Sequence, residues 1–264
     1  MPNPSEPNSS STDAEVSRQL GRMTRRGLAI GGTAILAGLA ARRWLFAQPT
    51  EGDVIWPLRR TFQLDERISR ATFDPSRLAP TFDPAKARMP RTNGRYGLDL
   101  DLVPDLDAYR LKVEGPGGSR SFTLAEIKAL PKHEMTTELK CIEGWSTIVH
   151  WGGARLADLA ARTGLASRDP ARPLAGACDF ASLESPGRAY YVGLEILAAL
   201  HPQTLLCYEM EGAPLTPNHG APLRLAIPLK YGIKSIKNLA SIRFTDRRPA
   251  DFWADRGYDW YSGH

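Results

Sequence analysis

A cysteine ends an alternating, strand-like run in the stretch TELKCIEGWSTIVHW, residues 137 to 151. Glu143, Gly144 and Trp145 follow it almost at once. Because a strand that ends in a glycine-containing bend can place a side chain in a pocket, Cys141 is a candidate for chemistry. Thiolate sulfur is both a nucleophile and a ligand for soft metals. Four interpretations of Cys141 remain open at this point: buried packing, a disulfide, nucleophilic catalysis and metal binding.

Two further cysteines give the chain an odd number of thiols. Cys207 lies in the apolar run TLLCYEM, which predicts a position in the core. Cys178 lies in LAGACDF, and no spacing argument supports a partner for it; a disulfide from Cys141 to either residue stays an alternative. The sequence has no CxxC or HExxH motif and no cluster of Cys and His, which disfavours zinc and iron–sulfur sites.

A second candidate group is basic and lies far downstream, in PNHGAPLRLAIPLKYGIKSIKNL at residues 217 to 239. No acid occurs between Glu211 and Asp246. One interpretation is a solvated strand face. The other is a phosphate site, in which an arginine fork, lysines and the amides of glycine turns donate to oxygens. The basic residues of the stretch are His219, Arg224, Lys230, Lys234 and Lys237.

The N-terminus has the features of an export signal. Adjacent arginines, Arg25 and Arg26, precede an uncharged run from Gly27 to Ala41 that is rich in Gly and Ala. The run is shorter than the roughly 20 residues of a spanning helix, which favours a twin-arginine signal. The segment would either be cleaved after Ala47 or be retained as an uncleaved anchor. Since this route exports folded proteins, it predicts a periplasmic protein whose cofactor is loaded beforehand.

Composition fits a soluble globular protein, with 42% hydrophobic and 24% charged residues. The net charge of +5 falls to an excess of two bases when residues 1 to 47 are left out. A near-neutral domain gives no reason to expect nucleic acid as a partner.

Strand patterns outnumber helix patterns in the rest of the chain, and both are short. Alternation predicts strands at 108–115, 134–141 and 146–153, and further strands downstream. Thr123 and Glu126 have the spacing of a capping box, which predicts a short helix. A second helix is predicted to end at Gly164. Together these patterns predict an α+β fold with mixed or antiparallel sheets and short helices.

Four segments are predicted along the chain. Residues 1 to 47 form the signal segment, and the first 20 of them are polar enough to be disordered. Residues 48 to 107, rich in Pro, Asp and Arg, form an extended segment that leads into the core at 108 to 248. The aromatic and polar tail, residues 249 to 264, is predicted to be a strap over the surface.

Three separated blocks carry a family resemblance: TNGRYGL at 92–98, ELKCIEGWSTIVHWGGARLADL at 138–159, and HPQTLLCYEMEGAPLTPNHGAPLRLAIPLKYGIKSIKNLASIRFTD at 201–246. In this order they resemble the molybdopterin domain of the sulfite oxidase superfamily. Within it, the sequence is similar to the branch of periplasmic catalytic subunits of bacterial protein-methionine-sulfoxide reductases. The resemblance implies a sulfite-oxidase-type fold and a cofactor with one molybdenum and one molybdopterin.

The resemblance also implies roles for individual residues. Cys141 corresponds to the cysteine whose sulfur binds molybdenum, and Glu143 follows it as in the reductase branch, so that these two are the implied catalytic residues. Ser235 to Lys237 correspond to the loop at the phosphate end of the cofactor. The full set of implied cofactor-binding residues is Asn93, Tyr96, Gly97, Cys141, Ser182, His219, Arg224, Ser235, Ile236 and Lys237.

The residues that follow Cys141 bear on the substrate. Sulfite oxidases carry an Asn-Arg pair there that forms an anion pocket, whereas this sequence has Glu-Gly-Trp. A carboxylate beside the metal would repel a dianion such as sulfite, which favours a neutral sulfoxide. His150 stands where the reductase branch usually has proline, and it is either a proton donor or a packed side chain.

The sequence therefore predicts a periplasmic molybdenum–molybdopterin oxidoreductase that reduces a sulfoxide, such as methionine sulfoxide in proteins, by oxygen-atom transfer. By family analogy, a membrane-embedded haem or quinol-linked subunit would donate the electrons. Two rival functions are sulfite oxidation with a cytochrome acceptor and a cofactor-free periplasmic binding domain on the same fold.

Overall fold

The computed structural model describes residues 9–51, 54–92, 105–169 and 171–263. By its internal contacts the chain divides into two compact units, Met1–Leu58 and Arg59–His264. Three of the predicted cofactor-binding residues, Asn93, Tyr96 and Gly97, lie outside the described residues.

The first unit consists mainly of a long helix, α1 (Ser9–Phe46), which contains the paired arginines. An antiparallel pair of two-residue strands follows, β1 (Thr50–Glu51) and β2 (Val54–Ile55). The prediction of disorder is wrong from Ser9 to residue 20, because this stretch continues without proline into a run of Ala, Leu and Arg that favours helix. Within the described residues, no helix combines the length and the apolar character needed to cross a membrane.

The segment that was predicted to be extended contains a helix, α2 (Trp56–Ala71). Its half-buried residues recur at helical spacing and include Arg59, Phe62, Gln63 and Glu66. Three of these four are polar, so hydrophobic periodicity alone does not reveal the helix. The prolines in the rest of residues 48–107 led to the wrong prediction of an extended segment here.

Besides most of α2, the described part of the second unit holds three short helices and the strands of two sheets. The helices are α3 (Leu124–Lys128), α4 (Leu156–Thr163) and α5 (Ile196–Ala199). The strands are β3 (Leu111–Gly115), β4 (Gly118–Phe122), β5 (Lys132–Lys140), β6 (Ser146–Arg155), β7 (Phe180–Glu184), β8 (Tyr191–Glu195), β9 (Leu205–Met210), β10 (Ala213–Pro214), β11 (Arg224–Ala226) and β12 (Ser241–Thr245).

The first sheet has the order β10–β9–β6–β5, and β11 also pairs with β9; every pair in it is antiparallel. The second sheet has the order β4–β3–β12–β7–β8, in which the β3–β12 pair is parallel. The predicted α+β class with mixed and antiparallel sheets is confirmed. Alternation did not reveal β4, whose sequence GSRSF has four exposed residues out of five.

The predicted helix ends are confirmed. Thr123 accepts a hydrogen bond from the Glu126 amide, and the Glu126 side chain accepts one from the Thr123 amide, which completes a capping box on α3. α4 is followed by Gly164 in the left-handed conformation (φ 67°).

The main core takes residues from both sheets and from α3, α4 and α5. Successive residues of β9 point to opposite faces of the first sheet, so Leu206 and Tyr208 join this core. Leu205 and Cys207 instead join a smaller cluster with Trp151 on the other face. Leu139 packs against the smaller cluster.

The tail is part of the folded core and not a strap over the surface. Phe252, Trp260 and Tyr261 are between 4% and 6% exposed. Trp260 lies so close to β8 that a Cβ added to Gly193 would come within 2.6 Å of its ring. Polar residues between these aromatics made the tail look like a surface segment in the sequence.

Candidate active site

Cys141 lies at the first position of the loop that connects β5 to β6. Its amide donates a hydrogen bond to the Trp145 carbonyl across 2.9 Å, and its carbonyl accepts one from the Gly144 amide across 3.1 Å. Gly144 has a φ of +86°, which a residue with a side chain rarely adopts. The glycine bend therefore closes the loop and fixes the place of the cysteine at the end of β5.

The loop opens on a cleft with a volume of about 700 Å³. Seven of the predicted site residues line this one cleft, although they are up to 96 positions apart in the chain. They are Cys141, Glu143, His219, Arg224, Ser235, Ile236 and Lys237. The thiol and the acid come from the β5–β6 loop, and the other five come from the basic stretch.

Arg224 is a buried cation that lies in this cleft, with 3% of its surface exposed. Its Nη1 donates to the His219 carbonyl at 2.9 Å and its Nη2 to the Ser235 carbonyl at 3.1 Å. Its guanidinium carbon lies 5.0 Å from the centre of the Trp151 ring. In the described part of the chain, no carboxylate forms an ion pair with it, and burial lowers its pKa to about 10. Among the described residues, this positive charge therefore has no acidic partner.

His219 ends a 3₁₀ turn, Pro217–His219, and its side chain is buried. Burial, together with the positive charges of Arg224 and Lys237, lowers the pKa of His219 to about 4. Its imidazole is therefore neutral at pH 7, where one ring nitrogen donates a hydrogen bond and the other accepts one.

The turn that carries His219 is held against the loop that carries Lys237. A Cβ added to Gly220 would lie 2.6 Å from the Cβ of Lys237, and the φ of Gly220 is +93°. The Asn238 amide donates to the Gly220 carbonyl at 3.2 Å. Only glycine allows this approach, which brings His219 and Lys237 into the same cleft wall.

Lys237 completes the basic wall of the cleft. Its Nζ donates to the Asn218 carbonyl at 3.0 Å. Burial, and then the charge of Arg224, lower the pKa of Lys237 to about 8. The neighbouring Ser235 and Ile236 are buried, and the Ile236 carbonyl accepts a hydrogen bond from the Leu225 amide at 2.9 Å.

The remaining lysines of the basic stretch form buried ion pairs away from the cleft. Lys230 and Lys234 are fully buried and do not line the cleft. Lys230 pairs with Glu195 at 3.2 Å, and Lys234 pairs with Asp251 at 2.5 Å. The interpretation of this stretch as a solvated strand face is therefore wrong, and the basic residues divide between a cleft and buried ion pairs.

Ser182 does not join the other predicted residues. It lies in the middle of β7, where it pairs with Arg243 of β12 and with Gly193 of β8. It does not line the cleft. Its position between β12 and β8 in the second sheet keeps it out of the cleft lining.

The other two cysteines and His150 also lie away from the cleft lining. No disulfide joins the three cysteines. Cys178 and Cys207 are both fully buried, as was predicted for Cys207. His150 is half-buried in β6, with its Nδ1 2.9 Å from Oγ1 of Thr136.

The cleft residues that the sequence missed include one cation and three aromatic side chains: Arg91, Tyr190, Trp253 and Tyr258. The Tyr190 hydroxyl donates to the Ile233 carbonyl at 2.6 Å, which ties this wall to the Lys237 loop. Trp253 and Tyr258 belong to the tail and pack edge to face, with ring centres 5.2 Å apart. The density of aromatic residues in the tail was the signal that could have placed it beside the site.

The cleft combines a thiol and a carboxylate on one loop with a basic wall of three side chains. Such a set can hold an anionic group against Arg224 and Lys237 while Cys141 offers sulfur to a soft metal or an electrophile. This chemistry suits a cofactor with a phosphate at one end and a reactive centre at the other.

Comparison with known proteins supports a cofactor of this kind. The family described as oxidoreductase molybdopterin binding domain matches residues 100–253. A protein of Azospira oryzae, YedZ1, whose name proposes it as a protein-methionine-sulfoxide reductase subunit, is 30% identical over 241 residues. That match covers 90% of this chain and 86% of YedZ1.

Two further relatives match over shorter lengths. The protein-methionine-sulfoxide reductase catalytic subunit MsrP of Xanthomonas campestris pv. campestris is 37% identical over 166 residues, 57% of this chain and 49% of MsrP. Mitochondrial sulfite oxidase of Rattus norvegicus is 35% identical over 187 residues, 61% of this chain and 34% of that protein. The chain thus matches about half the length of MsrP. With more than half of its residues matched by the family and a cleft that suits such a cofactor, the chain belongs to the molybdopterin-binding oxidoreductases of the sulfite oxidase superfamily.

Proposed function

We propose that this oxidoreductase reduces sulfoxides, in particular methionine sulfoxide in proteins, with a cofactor of one molybdenum and one molybdopterin. The observation that carries the proposal is the position of Glu143 in the same cleft as Cys141. A carboxylate at this position disfavours anionic substrates and leaves a neutral S-oxide acceptable. The names of YedZ1 and MsrP point to the same substrate class for those relatives.

The cleft residues fit the proposed cofactor. Burying a charge without a partner is costly, so the buried Arg224, which no acid of the described chain pairs with, suits a site for an anion. Lys237 would contact the same anionic end, and the Cys141 thiolate would ligate the metal. When bound, the molybdenum cofactor would supply two-electron oxygen-atom transfer.

The chain's own residues would prepare the site for that chemistry. The glycine bend at Gly144 fixes the Cys141 backbone, and the Arg224 guanidinium holds the carbonyls of His219 and Ser235 in place. The neutral imidazole of His219 offers a hydrogen bond without adding charge. In the overall reaction, a sulfoxide, two electrons and two protons give a thioether and water.

The export route and the electron donor are part of the same proposal. Arg25 and Arg26, followed by the uncharged run from Gly27 to Ala41, support export by the twin-arginine pathway to the periplasm. MsrP is named a catalytic subunit, which supports a partner subunit for this chain as well. We infer that this partner is a membrane-embedded haem or quinol-linked protein that delivers the two electrons.

Sulfite oxidation is the second candidate. The match to mitochondrial sulfite oxidase favours it, as does Arg91, whose guanidinium carbon lies 5.9 Å from the centre of the Trp145 ring in the cleft. An exposed arginine at this position offers a cation to an anionic substrate.

Steady-state assays distinguish the two functions. Holoenzyme exported through its native route is supplied either with a reduced viologen and methionine sulfoxide or with sulfite and a cytochrome acceptor. We expect turnover of the sulfoxide to dominate. Strong sulfite turnover with none of the sulfoxide would contradict the proposal, and a molybdenum content near zero from cofactor-producing cells would favour a cofactor-free binding domain.

A further inference from the structure

A second groove, which we call the tail groove, lies directly beside the cleft. Its volume is about 660 Å³, and its walls are α2 and residues 248–260 of the tail. Tyr258 lines both the tail groove and the cleft. The cleft and the tail groove therefore meet at Tyr258.

The walls of the tail groove are held together by direct contacts. The rings of Phe62 and Tyr258 stack with their centres 6.4 Å apart. Nη1 of Arg59 donates to the Tyr258 carbonyl at 3.4 Å, and Nη2 of Arg248 donates to Glu66 at 2.9 Å. The groove is thus preformed by contacts between α2 and the tail.

The carboxylates of the tail groove are all engaged by groups of the protein itself. Each accepts a hydrogen bond or an ion pair from a nearby donor. The pairs are Glu66 with Arg248, Asp251 with Lys234, Asp255 with the Tyr191 hydroxyl, and Asp259 with the amides of Tyr261 and Ser262. Glu66 and Asp251 are therefore neutralised by cations, whereas Asp255 and Asp259 accept from neutral donors and keep their negative charges.

The arginines of the groove are less fully engaged. Arg67 is exposed, and in the described part of the chain its guanidinium makes no hydrogen bond or ion pair. Arg70 is half-exposed, and its ion pairs with Glu66 and Glu195 are long, at 3.8 and 4.0 Å. Arg59 likewise forms no ion pair in the described part of the chain, so three weakly paired or unpaired arginines face two unpaired acids. This excess of positive charge favours an acidic ligand.

We propose that the tail groove binds the polypeptide that flanks the oxidised methionine, with a preference for acidic residues. The inference rests on the proposed function, since it adds a binding site for the protein part of that substrate. The groove is polar and lies against the cleft, as the flanking backbone and side chains of a polypeptide require. Arg67 is the group that would contact the acidic side chains.

Peptide binding tests the groove without relying on turnover. The probe is a fluorescently labelled nonapeptide with reduced methionine at its centre and glutamates on both sides, titrated into holoenzyme at low salt. We expect Arg67→Glu to weaken binding about fivefold. Arg60→Glu is the matched control, because Arg60 is an exposed arginine of the same helix that does not line the groove. Equal affinity in wild type and both variants would overturn the proposal.

Turnover then separates a failure of the groove from a failure of the function. With the sulfoxide form of the same peptide, kcat/KM should fall in Arg67→Glu and not in Arg60→Glu, while kcat/KM for N-acetylmethionine sulfoxide amide stays unchanged in both. Equal losses for peptide and amide would overturn the groove. Peptide binding that depends on Arg67, without turnover of any sulfoxide, would support the groove and overturn the proposed function.

Discussion

The indole nitrogen of Trp145 donates a hydrogen bond to Oε2 of Glu143 across 2.9 Å, at the cleft that Cys141 lines. This contact ties the carboxylate to the same loop that carries the thiol. The exposed carboxylate of Glu143 is therefore oriented by a side chain of the site itself. Substrate choice should respond when that charge is removed and the contact is kept.

Glu143→Gln makes this change, because the glutamine amide oxygen still accepts the Trp145 hydrogen bond. We expect the ratio of kcat/KM for sulfite to kcat/KM for methionine sulfoxide to rise about tenfold, through loss of repulsion toward the anion. Steady-state assays with both substrates measure this ratio. Glu138→Gln is the control, since Glu138 is an acid of the same hairpin outside the cleft. An unchanged ratio in Glu143→Gln would rule out charge as the reason for substrate choice.

The buried pair of Lys234 and Asp251 joins the turn Gly232–Lys234, which borders the cleft, to the tail, and it supports a prediction on stability. Lys234→Met leaves Asp251 buried without its cation, so the free energy of unfolding of the cofactor-free protein should fall by about 3–5 kcal/mol. Lys112→Met is the control, because the ion pair of Lys112 with Glu114 lies at the surface and its loss should cost less than about 1 kcal/mol. Urea denaturation measures both, and similar losses would contradict the assigned role.

The lowered pKa of His219 predicts a pH dependence of stability. Between pH 6.5 and about 4, the unfolded chain binds a proton at this residue that the folded protein excludes. The free energy of unfolding should therefore fall as the pH drops through this window, by on the order of 3 kcal/mol from His219, and this contribution is complete above pH 6.5.

His219→Asn removes this contribution in cofactor-free protein. Urea denaturation at pH 7 and pH 4.5 should show a smaller loss of stability on acidification in the variant than in wild type. A smaller pH dependence remains, since burial also lowers the pKa of His201. Identical losses in both proteins would show that His219 titrates normally.

Local patterns predicted much of the fold. Alternation located β5 and β6, and the capping box at Thr123 and the glycine at Gly164 located two helix ends. α2 was missed because its half-buried face is mostly polar, and β4 because it is nearly all exposed. In both cases burial, which is a tertiary property, decides the structure.

Local patterns singled out Cys141 and the basic stretch at 217–239, and the family resemblance added Glu143, Ser235 and Ile236 to the candidates. Composition could not separate Arg224 and Lys237, which line the cleft, from Lys230 and Lys234. Lys230 and Lys234 form buried ion pairs with Glu195 and Asp251 instead. Because these acids lie outside the basic stretch, the sequence alone does not reveal the pairs. Tyr258 was missed for the same reason, since only the folded tail brings it to the cleft.

The central claim is that the sulfur of Cys141 binds molybdenum. X-ray absorption at the molybdenum edge, on holoenzyme from cofactor-producing cells, counts the sulfur ligands directly. Cys141→Ser should show one sulfur ligand fewer than wild type and lose its turnover, while Cys178→Ser, which changes a cysteine buried in the core, should keep the wild-type count. An unchanged sulfur count in Cys141→Ser, with turnover retained, would contradict the assignment of the ligand and with it the proposed active site.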